Sequence, residues 1–363
     1  MKRDPLIVIT GGAGFIGSNM VRFLNEKGIT KIVIVDDFTD GHKFKNLQGC
    51  QFSSYIDKDE FLDWFRNEGI FYEDPLEDLD EIAREIYLDD DDEEEFQSNV
   101  ACVIHFGACS NTAEWDGKKM MAENYEYTTQ LLSICQFANI PFIYASSASV
   151  YGNTRGEGVE PLNMYAFSKW CIDQYATKFA INASKLKKEI SPIIGLRLFN
   201  VYGPNEDHKE RVGQAAMGAP WPRAWEGARC GQSSPIHKWY NELKAGKEIN
   251  VFQEEAKRDF VHVDDVCAVT YWFMNSHCSG IFDVGTGYAR SFSEVANTLS
   301  AEVFPCLTID VINSVPMPEH LKGHYQYFTQ ANLEHLIKAN CSHKFMTLEK
   351  GIKKFVQSKE GIL

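Results

Sequence analysis

Leu6-Ile-Val-Ile-Thr10-Gly-Gly-Ala-Gly-Phe-Ile-Gly17 is the stretch on which the fold turns. Its first five residues form an apolar run too short for a helix, which reads as a buried strand. Phe15, Met20, Val21 and Leu24 then fall at helical spacing, and the pattern ends near Gly28. Between strand and helix, Gly11, Gly14 and Gly17 allow a tight turn, close approach of a pyrophosphate, and packing of helix on sheet. The phosphates would sit at the helix N-terminus, where unpaired N–H groups point outward. Lys31-Ile-Val-Ile-Val-Asp36 follows as a second buried strand, ending on an acid nineteen residues after Gly17. A strand, a glycine turn, a helix and an acid in that order predict dinucleotide binding.

The rest of the chain continues the alternation. Residues 100–106, 142–146 and 193–198 read as further strands with helical segments between, so a doubly wound parallel sheet is expected, an α/β fold. Residues 1–199 are expected to form the dinucleotide-binding domain and 200–363 mainly a smaller substrate-binding domain, with 258–289 returning to the first. Two stretches interrupt the pattern. Residues 73–95 hold fourteen acids against Arg84 alone, −13 of the formal −15, which leaves the remainder near −2. This is read as a solvated excursion. Residues 210–232, rich in Gly, Ala, Pro and Trp without periodicity, read as a long loop, and both stretches as surface additions. A helical pattern resumes over His237–Leu243.

Composition excludes several classes. With the acid concentrated in one segment and no basic stripe, nucleic acid is not an expected partner. No apolar run approaches the roughly 20 residues that span a membrane, and the N-terminus runs into a strand with no signal-peptide region. Ten cysteines are scattered from Cys50 to Cys341 without Cys-x-x-Cys or metal-ligand spacing, as expected of reduced thiols in a cytoplasmic protein, with no metal site.

The chemistry is carried by Met164-Tyr-Ala-Phe-Ser-Lys169 and by Ser147, eighteen residues before Tyr165. Tyr165 and Lys169 are one helical turn apart and share a face. An unperturbed phenol, with a pKa of about 10, is only ~0.1% ionised at neutral pH. A nearby ammonium favours the phenolate and makes it a usable acid or base. Ser147 would steady the oxygen of an alcohol or ketone. The set suits hydride transfer at a carbinol carbon.

With Arg197-Leu-Phe-Asn-Val-Tyr-Gly-Pro204, Lys257-Arg-Asp-Phe-Val-His-Val-Asp-Asp265 and Val284-Gly-Thr-Gly287 added, the chain resembles the extended short-chain dehydrogenase/reductase family. Gly107-Ala-Cys-Ser-Asn-Thr-Ala-Glu-Trp-Asp-Gly-Lys-Lys-Met-Met121, Asp40–Phe44, Asn205–Lys209 and residues 321–330 resemble more narrowly its ADP-heptose epimerase branch. The resemblance implies a nucleotide-sugar substrate inverted at C6, a homo-oligomer, and NADP as cofactor. It implies cofactor contacts at Phe15, Ile16, Asp36, Lys43, Lys58, Asn124, Lys169 and Val201, and along Gly107, Ala108, Cys109 and Ser110. Tyr165 and Lys209 would be the two acid/bases, and Asn200, Arg258 and Tyr325 would hold the nucleotide-sugar. Arg258 suits a diphosphate by its planar fork.

NAD stands as the alternative cofactor. Asp36 can take a ribose hydroxyl and Asp37 repels a 2′-phosphate, whereas Lys43 and Lys58 favour one. Asp37 replaces an amide common in that branch, Phe106 stands where an acid is usual, and Lys209 is followed at once by the 210–232 stretch. The 4,6-dehydratases of the family carry a Thr-Asp-Glu segment before Val-Tyr-Gly. Here Ser147-Ala-Ser149 occupies that place, with no acid and base for elimination. A C4 epimerase or reductase of the same family is the runner-up, and a non-catalytic dinucleotide-binding scaffold a reading from a different class.

Overall fold

The computed structural model describes residues 6–66, 100–154, 158–214, 232–305, 311–319 and 325–362. The acidic stretch 73–95 and residues 215–231 of the second excursion lie outside them. Seven parallel strands form the main sheet: β1 (Leu6–Thr10), β2 (Ile32–Asp36), β3 (Ser54–Asp57), β4 (Val100–His105), β5 (Phe142–Ser147), β6 (Ile193–Leu198) and β10 (Gly280–Val284), the last coming late in the chain. Their spatial order is β10-β6-β5-β4-β1-β2-β3. The order reverses at β1, between β2 and β4, and there a doubly wound sheet opens a crevice at the carboxyl ends of its strands.

The continuous Ile/Val runs have a simple cause. Ile7 and Ile9, Ile32 and Ile34, and Cys102 and Ile104 pack on one face with helices Phe15–Glu26 and Val263–Met274. Val8, Val33, Val35 and Val103 point to the other face, where Phe61, Leu131, Ile134, Ile172 and Ala176 cover them. Both faces are covered, so these strands are apolar up to their last residues, Thr10, Asp36 and His105.

A second core gathers Trp239, Tyr240, Leu243, Val251, Phe260, Leu299, Ile352 and Phe355. It lies around two small sheets. One is β11-β9-β7, in which β7 (Asn200–Tyr202) runs parallel to β9 (Lys257–His262) and β11 (Ala289–Ser291) antiparallel. The other pairs β12 (Ile312–Val315) with β8 (Ile249–Phe252).

The expected strands match to within a residue or so, and the helix expected over His237–Leu243 runs Pro235–Lys244. One expectation is corrected. Residues 210–214 are not loop but the end of helix Asp207–Gln214. That helix is tied down by Asn241 Nδ2 donating to Glu210 (2.7 Å) and Lys359 Nζ donating to Asp207 (2.7 Å). Tertiary contacts supply what the local sequence, without an apolar period, does not. No described helix is long and apolar enough to cross a membrane.

Candidate active site

The glycine turn is built for close approach. Gly11 has φ +66°, and a Cβ there would lie 2.6 Å from Gly107 N. A Cβ on Gly17 would lie 2.1 Å from Gly11 O, so the helix starts in contact with the turn. Gly14 caps this helix without a side-chain bond, leaving its end to the crevice. A cleft of about 610 Å³ opens here, lined by Gly11, Gly14, Phe15, Ile16, Gly17, Asp36, Asp37, Lys43, Lys58, Lys209 and the Gly107–Ser110 strip. A glycine-floored cleft at a helix N-terminus fits the pyrophosphate of a dinucleotide.

At its far end Asp36 is fully engaged: Oδ2 accepts from Ala13 N (2.7 Å), and Oδ1 from Asp37 N (2.7 Å) and Lys43 Nζ (2.8 Å). Lys58 Nζ stands 4.0 Å from Asp37. Burial pushes the Asp37 carboxyl up, but hydrogen bonds from Thr39 and the charges of Lys43 and Lys58 bring it below its ordinary value.

His105 at the end of β4 also lines the cleft, and its hydrogen bonds have only one consistent direction. Thr128 Oγ1 donates to Asn124 O (2.5 Å), so it accepts from His105 Nε2–H (2.8 Å). His105 Nδ1 is then the acceptor for Thr10 Oγ1–H (2.6 Å), and Thr10 Oγ1 in turn accepts from Gly107 N (3.2 Å). Burial, with Lys169 adding to it, lowers the imidazole to about 3. His105 is therefore a neutral strut between the two chain segments that floor the cleft. The sequence reading passed over it as one residue of an apolar strand.

Asn124, expected along the cofactor, is instead fully buried in a π-helical segment, Met121–Glu126. Its Oδ1 accepts from Cys109 N (2.8 Å), and its Nδ2 reaches Cys109 O (3.1 Å) and Ser168 Oγ (3.0 Å). It clasps the Gly107–Ser110 strip to the helix of Tyr165. Val201, also expected at the cofactor, packs against the main core.

Helix Met164–Lys185 carries Tyr165, Lys169 and Asp173 on one face, and Asn163 caps it by accepting from Ala166 N (2.8 Å). Ser147 Oγ accepts from Ser149 N (3.2 Å) and Ser149 Oγ (2.8 Å), which leaves its own proton for another acceptor. The Ser147 hydroxyl favours the Tyr165 phenolate, yet burial outweighs it and pushes the phenol above its ordinary value. The expectation that Lys169 lowers the phenol is thus corrected. Lys169 Nζ lies 5.9 Å from the Tyr165 ring centroid and donates to Ala145 O (2.8 Å). Burial draws Lys169 itself down to about 8, with Asp173 opposing. Asp173 accepts from Tyr144 (3.0 Å), Ser146 (3.0 Å) and Arg197 Nε (2.8 Å), which holds this inner layer rigid.

Lys209 Nζ sits 4.8 Å from the Phe15 ring centroid, inside the cleft despite the excursion that follows it. Burial lowers its pKa, opposed by Glu206. Beside it His208, with Asn46 Nδ2 at 3.2 Å from its Nδ1, is lowered to about 4, chiefly by burial. Gln232, the last residue of the excursion, accepts from Ser110 Oγ (3.0 Å) and lines the cleft, which corrects the surface reading at that end. Nothing in its local sequence marks Gln232. His208 adjoins a residue already singled out.

Arg258 and Tyr325 meet away from the cleft-lining set. The guanidinium lies over the Tyr325 ring, 5.3 Å from its centroid. Phe252, which the sequence reading did not select, packs edge-on against Tyr325 at 6.1 Å. Asn200 lies half-buried on β7, beside β9 and one residue before Val201.

Residues 7–219 and 222–285 match the NAD dependent epimerase/dehydratase family. The chain is 39% identical over 361 residues to an ADP-L-glycero-D-manno-heptose-6-epimerase of Brachyspira hyodysenteriae, covering 97% of each. Among solved structures it is similar to the Helicobacter pylori ADP-L-glycero-D-manno-heptose-6-epimerase, with a TM-score of 0.70 and 27% identity over 98% of this chain and 96% of that one. A UDP-N-acetylglucosamine 4-epimerase of Methanobrevibacter ruminantium shares the fold, with a TM-score of 0.70 and 20% identity over 99% of each. The chain belongs to the NAD dependent epimerase/dehydratase family.

Proposed function

We propose that this chain is a nucleotide-sugar epimerase that inverts C6 of ADP-D-glycero-D-manno-heptose, giving ADP-L-glycero-D-manno-heptose for lipopolysaccharide core heptose. The observation that carries the reading is the 39% identity over nearly the whole chain to an epimerase of that name. A Ser147 hydroxyl that favours the Tyr165 phenolate and a lysine retained in the cleft agree with it.

A tightly bound NADP would supply hydride-transfer chemistry here. The protein's residues manage the proton and the orientation. Ser147 orients the C6 oxygen beside Tyr165. Lys209, whose pKa burial lowers, takes the C6 hydroxyl proton as the hydride leaves, and the 6-keto sugar then presents its other face. Tyr165, raised by burial, holds its proton at neutral pH and gives it to the C6 oxygen as the hydride comes back. Asn200, Arg258 and Tyr325 hold the nucleotide diphosphate. Residues 1–199 form the cofactor domain and 200–363 mainly the sugar domain, with 258–289 returning to the large sheet, as β10 pairing with β6 supports.

For the cofactor, Lys43 and Lys58 stand ready for a 2′-phosphate, and Asp36 is already occupied by Ala13 and Lys43. These favour NADP over NAD. The assembly is proposed to be a homo-oligomer in the cytoplasm.

Incubation with ADP-D-glycero-D-manno-heptose in deuterated water tests the reading. Inversion at C6 without deuterium on carbon is expected. A deuterated deoxy-keto product, or turnover only of a C4-epimeric sugar, would refute it.

A further inference from the structure

The segment that carries Tyr325 is fixed at many points. Lys257 N donates to Tyr327 O (2.8 Å) and Thr329 N to Lys257 O (3.0 Å), so the segment runs along the start of β9. Just beyond, the buried Asp259 carboxylate accepts from Ala331 N (3.1 Å) as well as from Thr286 and Gly287, and Asp283 accepts from Asn332 N (2.9 Å). On the other side, Tyr327 N donates to Asn153 Oδ1 (3.1 Å). Inside this frame Gln326 makes two bonds of opposite sense. Its Oε1 accepts from Arg258 Nη1 at 2.8 Å, and its Nε2 donates to Ala148 O at 3.2 Å. Ala148 directly follows Ser147, the residue proposed to act with Tyr165.

We infer that Gln326 is a positioning residue that holds the Arg258 guanidinium at a set offset from the Ser147–Tyr165 pair. This rests on the nucleotide-sugar reading above. A primary amide can accept from a guanidinium and donate to a carbonyl at once, whereas a carboxylate can only accept. Among the described residues Arg258 Nε is buried with no hydrogen-bond partner, a donor whose desolvation is relieved when an anionic acceptor arrives. A diphosphate supplies that acceptor. The sugar's length then converts the offset between Arg258 and Ser147 into a choice of which carbinol carbon reaches Tyr165. Gln326 thus links the anchor of the nucleotide to the site of chemistry without touching the reacting atoms.

The test uses the holoenzyme, cofactor retained, with ADP as the diphosphate probe followed by calorimetry. Gln326→Ala is expected to weaken ADP about tenfold, the scale of one lost hydrogen bond to a charged group. KM for the ADP-heptose should rise by a similar factor. In an Arg258→Ala background the same substitution should change ADP affinity less than about twofold, because coupled residues are non-additive. Gln326→Glu should be at least as weak as Gln326→Ala, since it neutralises the guanidinium and faces the Ala148 carbonyl with an acceptor. It decides the matter if the alanine variant does not fold. An unchanged ADP affinity in Gln326→Glu, or an equal loss with and without Arg258, overturns the inference. Wild-type protein that binds ADP in the predicted pattern but does not turn over the heptose would instead refute the proposed function.

Discussion

Lys169→Met should give a protein at least as stable as the parent at neutral pH. Lys169 is 2% exposed, and burial pulls its pKa from 10.5 to about 8. That difference corresponds to roughly 3 kcal/mol spent at pH 7 on keeping an ammonium charged in the interior. Against it stands the part-buried bond from the charged ammonium to Ala145 O, worth about 1–3 kcal/mol. The variant should therefore lie between level with the parent and about 2 kcal/mol more stable at pH 7.

The sign then reverses with pH. Below about 8 the lysine is protonated in both folded and unfolded chains, and the penalty is constant. Between about 8 and 10.5 the unfolded chain holds a proton that the folded one has released, so the parent gains stability as pH rises. By pH 10.5 the advantage of methionine should have fallen by roughly 3 kcal/mol, leaving the variant less stable by the lost hydrogen bond. Urea denaturation of both proteins, freed of cofactor and compared at pH 7 and pH 10.5, measures this directly. A stability difference that does not change with pH would refute the reasoning.

Other substitutions probe separate parts of the site. Tyr165→Phe keeps the ring but removes the proton carrier, and should lower kcat by about 10²–10⁴ with bound cofactor unchanged by absorbance; a loss under tenfold would exclude Tyr165 as the acid/base. Gly17→Ala places a Cβ 2.1 Å from Gly11 O, so purified protein should be folded by circular dichroism but emptied of dinucleotide. Lys43→Ala and Lys58→Ala should each weaken NADP by about tenfold in reconstitution while changing NAD much less, and equal effects on both would favour NAD as the natural cofactor.

The legible parts of this protein share a physical reason. Strands such as Ile7–Ile9 and Ile32–Val35 are dry on both faces, so their composition alone announces them. Gly11 and Gly17 are set by local sterics, and Tyr165 and Lys169 by the pitch of one helix. What was hidden depends on partners far away in the chain. Gln326 acts on Ala148 across 178 residues, and Asp259 gathers donors from Thr286 to Ala331. The three-residue strands β7 and β11 exist because β9 lies between them. The Tyr165–Lys169 electrostatics failed for a related reason: spacing shows that two groups are neighbours, but only packing shows that burial acts on them more strongly than they act on each other.

Glu206 has a consequence for how such a chain can vary. Its buried carboxylate accepts from Ser234 N (2.6 Å), Ser234 Oγ (2.8 Å) and Gly203 N (3.3 Å), joining points on either side of the 210–232 excursion. The two ends are stapled together at the rim of the cleft, with Lys209 on one side and Gln232 on the other. Once the ends are fixed, doubling the length between them costs only about 0.6 kcal/mol in closure entropy. The staple therefore makes this a grafting point, where residues can be added or removed over generations while the lysine keeps its station.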